Sequence, residues 1–235
     1  MANGADYDVI LVGAGPAGCV LARRLTEEPG RRVLLLEAGP DYGPDPSAWP
    51  APLRDSTRVP VEIHPWGHRH AGRPEDQPLE LSRARIVGGT STVNGCVWLR
   101  GSAADYDGWA ARGNPGWSFD DLLPCFRRVE TDPIGGPLHG DAGPVPIARL
   151  AADARTPADR AFAAAAVALG FPEIDDLNGA PSQQPGVGPA PKNLRDGVRM
   201  NAAFTYLAPA RARPNLAIAP DVLVDRVQIE HGRAT

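Results

Sequence analysis

Lysine is nearly absent from this sequence, Lys192 being its one example, and neither sign of charge dominates. Its 24 Lys and Arg face 28 Asp and Glu, for a formal net charge of −4. That balance excludes the basic surface that nucleic acid or an anionic membrane would select. The preference for Arg, with abundant Ala, Gly and Pro, reads as genome composition rather than function. Long apolar runs are missing too: Val9 to Val12 is far too short to cross a bilayer, and Met1 to Asp6 lacks the basic flank and apolar core of a signal peptide. Cysteine is scarce. Cys19, Cys96 and Cys125 are odd in number and far apart, which gives neither a zinc spacing nor a disulfide framework. The expectation is a cytoplasmic protein with no metal, no membrane and no nucleic-acid partner.

The 235 residues suffice for one large domain, or for one domain and part of a second. Tyr7 to Val12 is a short β-branched run ending at Gly13 and predicts a buried parallel strand. The helix after it should carry Ala17, Leu21 and Leu25 on one face and stop at Pro29-Gly30. Arg32 to Leu36 predicts the second strand of a βαβ unit. From Gly39 to Leu79 the chain is rich in Pro, Gly and charge, and no regular structure is assigned to it. Ala104 to Arg112 has helical spacing, with Tyr106 and Trp109 on one side. Ser118 caps a further helix, with Asp120 and Asp121 in its first turn and Pro124 restricting it. Thr156-Pro157-Ala158-Asp159 is a capped start for a helix with Phe162, Ala166 and Leu169 on one face. Pro172 to Gly197 is aperiodic and reads as an interdomain crossing. Leu216 to Ala219 and Val222 to Ile229 alternate as strands.

Gly13-Ala14-Gly15-Pro16-Ala17-Gly18 matches the dinucleotide fingerprint. Its first Gly makes the tight turn, its second admits a pyrophosphate and its third packs helix on strand. The pyrophosphate would rest on free amides at the helix N-terminus. The alternative is a Gly-rich turn with no ligand. The ligand reading is preferred because a strand precedes the turn, a helix follows it, and Glu37 stands about twenty residues on, where a ribose hydroxyl needs an acceptor. An acid there disfavours NADP and leaves FAD or NAD.

A second run, Ala84 to Gly101 (ARIVGGTSTVNGCVWLRG), is dense in small and hydroxylated residues, and Gly88, Gly89 and Gly95 leave its backbone unobstructed. It reads either as a backbone that closely approaches a ligand or as a tight corner. This run resembles the first signature of the glucose-methanol-choline oxidoreductases, FAD enzymes that act on alcohols. The resemblance continues through Ala103 to Trp109, Gly113 to Ser118, Asp120 to Pro124, Gly197-Val198-Arg199 and Arg213 to Leu216, so it covers nearly the whole chain.

The resemblance implies an α/β, Rossmann-like FAD-binding fold with a parallel central sheet and the beginning of a substrate domain, the family's C-terminal half being absent from this sequence. Residues 1–145 and 195–235 would belong to the FAD-binding domain, and 146–194 to a substrate-domain or interdomain segment. Gly13, Gly15, Pro16 and Ala17 would hold the pyrophosphate, and Glu37 with Ala38 the adenosine ribose. Val87, Gly89 and Thr90 would pass beside the ribityl chain and diphosphate. Asn94, Gly95, Cys96 and Val97 would line the flavin ring, Val224 would bracket the adenine, and Trp66 would lie near the flavin side. Some members attach FAD through a His just before the signature Asn; Val93 stands there, so non-covalent FAD is expected.

Other residues invite roles. His64, His68 and His70 cluster around Trp66, but a solvated loop explains them as well as a metal does. His139 is placed in a turn in preference to a substrate cavity. Cys96 has no adjoining cation to activate it, which favours packing over redox chemistry. The family's catalytic base is a His near the C-terminus of a chain more than twice this length, and no segment here resembles that region, so no catalytic residue is assigned. Three readings stand. The chain is part of an alcohol oxidoreductase, acting on a small-molecule alcohol, whose remaining half lies on another chain or outside this sequence. It is a non-catalytic flavin-binding fragment. Or it is an NAD-binding module, which the Ala84 to Gly101 run opposes. Substrate identity and electron acceptor are not encoded here.

Overall fold

Val9–Val12 form strand β1, Pro16–Leu25 helix α1 and Val33–Leu36 strand β2 in a computed structural model that describes residues 6–70, 72, 79–179 and 185–234. Strand β3, Leu216–Ala219, returns from far along the chain to the free side of β2, giving a parallel sheet of order β1-β2-β3. This is the expected α/β, Rossmann-like arrangement. Val33 and Leu35 are fully buried. β1 departs from expectation, because Ile10 and Val12 are 56% and 58% exposed: among the described residues this strand pairs only with β2, and one of its faces is bare.

α1 also presents a different face from the expected one. Gly18, Cys19 and Ala22 are buried, whereas Ala17 and Leu21 are exposed. Small side chains let the helix axis come close to the sheet and to the helical turn Ala203–Leu207, and bulky Leu21 is left on the outside. The helix closes at Leu25, before Pro29-Gly30, where Thr26 leaves helical geometry at ψ 1° and its hydroxyl donates to Ala22 O at 2.7 Å. Asn215 then clamps the loop into β2, its amide donating to Glu28 O and Arg31 O, both at 2.9 Å.

The stretch after β2 holds more structure than the sequence predicts. Asp45 accepts from Ser47 N at 2.8 Å and starts a short turn at Pro46–Ala48, a single helical turn spans Ala51–Arg54, and Arg69–His70 pair with Leu79–Glu80. Residues 71 and 73–78 of that stretch lie outside the described residues, as do 180–184 of the Pro172 to Gly197 crossing. Within 222–229 only Ile229 joins a strand, in a small hairpin with Ala234; local alternation there has no neighbouring sheet to pair with among the described residues.

The chain divides into two compact units, residues 1–95 with 197–235, and residues 96–196. The second holds α2 (Ala103–Ala111), α3 (Phe119–Val129) and α4 (Pro157–Ala168). Each starts on a reciprocal capping box, Ser102 with Asp105, Ser118 with Asp121 and Thr156 with Asp159. Tyr106 and Trp109 do share a side of α2, edge to face at 5.3 Å. The apolar face of α4 is open, with Phe162 and Leu169 71% and 78% exposed. Among the described residues no helix is long and apolar enough to cross a membrane.

His139 closes a turn, as expected, its amide donating to Gly136 O at 3.3 Å, and its ring is buried at the centre of a polar network in this unit. Its Nδ1 lies 3.1 Å from Glu130 and 3.2 Å from Asp132, and its Nε2 lies 2.7 Å from Asp176. Arg149 forks onto Asp132 at 2.6 and 3.0 Å and reaches Asp176 at 3.0 Å. Glu130 takes Arg100 at 2.5 Å and the Trp98 indole at 2.7 Å. Glu130, Asp132 and His139 have the composition of a metal site, but these arginines and the indole already engage the carboxylates. Burial works against ionisation of Asp132, yet hydrogen bonds from Arg149 and the Ile134 amide outweigh it and hold the carboxyl below its usual range. A depressed carboxylate contributes its full stability above its unfolded value, about 3.9, and loses that contribution as pH falls through the folded value. Asp132→Asn should therefore cost about 3 kcal/mol near neutral pH and flatten the loss of stability below about pH 4, as read by denaturant melts across pH. Parallel profiles for variant and wild type would refute this.

Candidate functional site

Gly13 leaves β1 with φ +92°, a conformation that side chains avoid, and its amide donates to Leu36 O at 2.8 Å. One turn into α1, a Cβ on Gly18 would stand 2.0 Å from Gly13 O, so only glycine lets the helix lie on the turn. Gly15 is an extended N-cap without a side-chain cap, and Pro16 follows at the start of the helix. A Cβ on Gly15 would meet nothing within 4 Å. The space over the turn is open, and the first-turn amides of α1 lack an intrahelical acceptor. Cys19 lies beneath, its thiol donating to Ala14 O at 3.2 Å; burial pushes it up to about 12, which keeps it a donor.

Glu37 follows β2 directly and is 5% exposed. Its carboxylate accepts from Ala14 N at 2.8 Å and from Gly39 N at 2.9 Å. Each oxygen keeps a further lone pair, so an acceptor for a hydroxyl remains. Ala38 is half-buried between Glu37 and Gly39.

The second glycine-rich run comes to the same place. Gly88 N donates to Ala14 O at 2.7 Å, and Val87 N to Pro40 O at 3.1 Å. A Cβ on Gly89 would lie 2.7 Å from the Cα of Gly15 and 3.3 Å from Cδ of Pro16. On Gly39 it would lie 1.9 Å from Arg85 O. Gly89–Thr92 then form a tight helical turn, in which Ser91 donates to Gly88 O at 2.6 Å and Thr92 to Gly89 O at 2.8 Å. The Thr90 hydroxyl accepts from Ala84 N at 3.4 Å. Gly13, Gly15, Pro16, Glu37, Val87, Gly89 and Thr90 thus belong to three segments in mutual contact, and Ala17 and Ala38 are carried by two of them.

The remaining predicted residues are not gathered as closely. Asn94 is half-buried and its carbonyl accepts from Arg199 at 3.1 Å; Gly95 is exposed and ends the first unit. Cys96, buried at φ +62°, and Val97, about half exposed, open the second unit, where Asn193 N donates to Cys96 O at 2.9 Å. Trp66 stacks on His68 with ring centroids 5.5 Å apart. Val224 lies in irregular backbone three residues beyond Asp221, whose amide donates to Gly39 O at 3.0 Å. His64 bonds to the Tyr42 hydroxyl at 2.9 Å and His70 sits in a short strand, so the three histidines are engaged separately.

Two residues escaped the sequence reading. Gly39 was visible as a glycine two residues beyond Glu37, yet the backbone it abuts is more than forty positions away. Arg199 stands in a familial triplet, but its partners are carbonyls from distant segments, and no local pattern encodes them.

Residues 7–235 match the family model described as GMC oxidoreductase. An oxygen-dependent choline dehydrogenase of Pseudomonas savastanoi is 40% identical over 245 residues, which is all of this chain and 42% of the relative. One of Burkholderia pseudomallei is 42% identical, over 98% of this chain and 41% of its own length. Among solved structures, pyridoxine 4-oxidase from Mesorbium loti superposes with a TM-score of 0.85 at 35% identity, over 97% of this chain and 45% of that one. An FAD-dependent oxidoreductase from Chaetomium thermophilum gives 0.85 at 30% identity, over 97% and 41%. The chain therefore spans less than half the length of these relatives.

The glycine geometry predicts unequal costs. Gly39→Ala drives a methyl into the Arg85 carbonyl and should lose about 3 kcal/mol, while Gly15→Ala, with open space and an ordinary φ, should lose under about 1 kcal/mol. Urea melts of both variants check this, and equal losses would contradict it.

Proposed function

The chain belongs to the GMC oxidoreductase family, and on that premise we propose that it is the FAD-holding part of an enzyme that oxidises an alcohol by hydride transfer to the flavin. The observation that carries this is the seating of Gly88 and Gly89 on the Gly13–Pro16 turn, with Gly88 N on Ala14 O at 2.7 Å. A dinucleotide turn alone serves NAD equally well; the second run laid against it is what favours FAD.

In this reading the open space above Gly15 takes the pyrophosphate, whose charge the first-turn amides of α1 meet. Glu37 accepts from the adenosine ribose, held for that task by the Ala14 and Gly39 amides. Val87, Gly89 and Thr90 run beside the ribityl chain, Asn94, Gly95, Cys96 and Val97 line the ring, and Val224 brackets the adenine. Bound FAD supplies the acceptor for a hydride. The cofactor-serving part is residues 1–145 and 195–235, and 146–194 begins a substrate-side part.

Removal of the alcohol proton is assigned to a residue beyond this chain's span of its relatives. The same missing part, on this polypeptide or on a second chain, would cover the bare face of β1 at Ile10 and Val12. The names of the curated relatives, choline dehydrogenases, support a small alcohol as the donor class. All three cysteines are free thiols, in keeping with a reducing, cytoplasmic setting.

Val93, 2% exposed, stands where some family members attach FAD through His. Heat or acid precipitation of the loaded protein should therefore release all the flavin; yellow colour kept by the precipitate would contradict non-covalent binding. Gly15→Ala, although folded, should raise the FAD Kd at least about tenfold, roughly 1.4 kcal/mol, because its methyl enters the pyrophosphate space. An unchanged Kd in a fluorescence titration would remove the pyrophosphate from that turn.

A further inference from the structure

Arg199 is 0% exposed. Its guanidinium is surrounded by main-chain carbonyls: Nη1 donates to Leu53 O at 2.8 Å, Thr92 O at 2.9 Å and Pro52 O at 3.4 Å, Nε donates to Asn94 O at 3.1 Å, and Nη2 donates to Arg58 O. Among the described residues it forms no ion pair. Asp55, lowered chiefly by its own hydrogen bonds with Thr57, feels Arg199 only as the last of its influences. A guanidinium stays charged in a protein, and an ion removed from water costs several kcal/mol. Dipoles of five carbonyls offset that cost here, but they do not cancel the charge.

The carbonyls are not a random set. Thr92 and Asn94 flank Val93 in the segment that leads to the proposed flavin wall, and the same segment is tied a second time where Ala202 N donates to Ser91 Oγ at 3.0 Å. We propose that Arg199 is the positioning residue of that wall. It holds Thr92–Asn94 in the one backbone geometry that accepts the isoalloxazine, and it keeps a fixed positive charge behind it. Bound FAD would gain negative charge on accepting a hydride, two electrons with one proton, so the buried Arg199 cation would favour its reduced form. The inference rests on the proposed FAD site.

The test compares Arg199→Lys and Arg199→Gln in the full-length, FAD-loaded enzyme. FAD Kd is read by fluorescence titration and the flavin midpoint potential by dye-equilibrated reduction. Lys keeps the charge but cannot span five carbonyls, so Kd should rise about tenfold with the potential unmoved. Gln loses both, so Kd should rise at least as far and the reduced-to-oxidised ratio should fall about tenfold, which is about 30 mV for a two-electron couple. Wild-type affinity and potential in both variants would overturn the inference. So would a potential that falls equally in both, or failure of both to fold, which would leave Arg199 a residue of folding alone. Wild-type protein that takes up no FAD would instead defeat the FAD reading itself, before any variant is made.

Discussion

Glu37 places its carboxyl group in the interior, where two backbone amides, those of Ala14 and Gly39, meet its two oxygens. Those bonds join the turn after β1 to the segment after β2. The rest of the site is built on that junction: the 86–89 run packs against both partners, on Ala14 through Gly88 and on Pro40 through Val87. Removing the carboxylate would orphan two amides in a region already closed to water, a cost of about 1–3 kcal/mol per group.

Glycine makes this closeness possible in two different ways. At Gly13 the need is conformational, a positive φ. At Gly18 and Gly39 the need is for space, because a methyl would fall inside the neighbouring carbonyl. Gly15 has neither constraint within the protein. Its open side is where the proposed reading puts the pyrophosphate, which separates the glycines that build the turn from the one that leaves room above it.

The two units use buried charge differently. In the second, Arg100 and Arg149 are paired with Glu130, Asp132 and Asp176, and the His139 ring is hydrogen-bonded among these carboxylates. In the first, Arg211 is paired with Asp41, whereas Arg199 bonds main-chain carbonyls and, among the described residues, forms no ion pair. A network of paired side chains is complete without a ligand; a buried cation met by carbonyls keeps a net charge, which is the basis of the role proposed for Arg199.

The βαβ unit, the fingerprint glycines, Glu37 and the capped helix starts at Ser118 and Thr156 were legible in the sequence, because each depends on residues within a few turns of one another or on a spacing that the strand–helix–strand path imposes. The buried face of α1 was not, since Gly18, Cys19 and Ala22 are chosen by how closely the helix must approach the sheet, and periodicity alone ranks Leu21 above them. Nor could the sequence show that β3 arrives from residue 216 to pair with β2, or that Arg199 gathers carbonyls from residues 52 to 94. Local backbone chemistry determined what kind of ligand this chain is shaped for. Only the tertiary structure decided how its segments are held to receive it, because hydrogen bonds to main-chain carbonyls carry no side-chain signature in their acceptors.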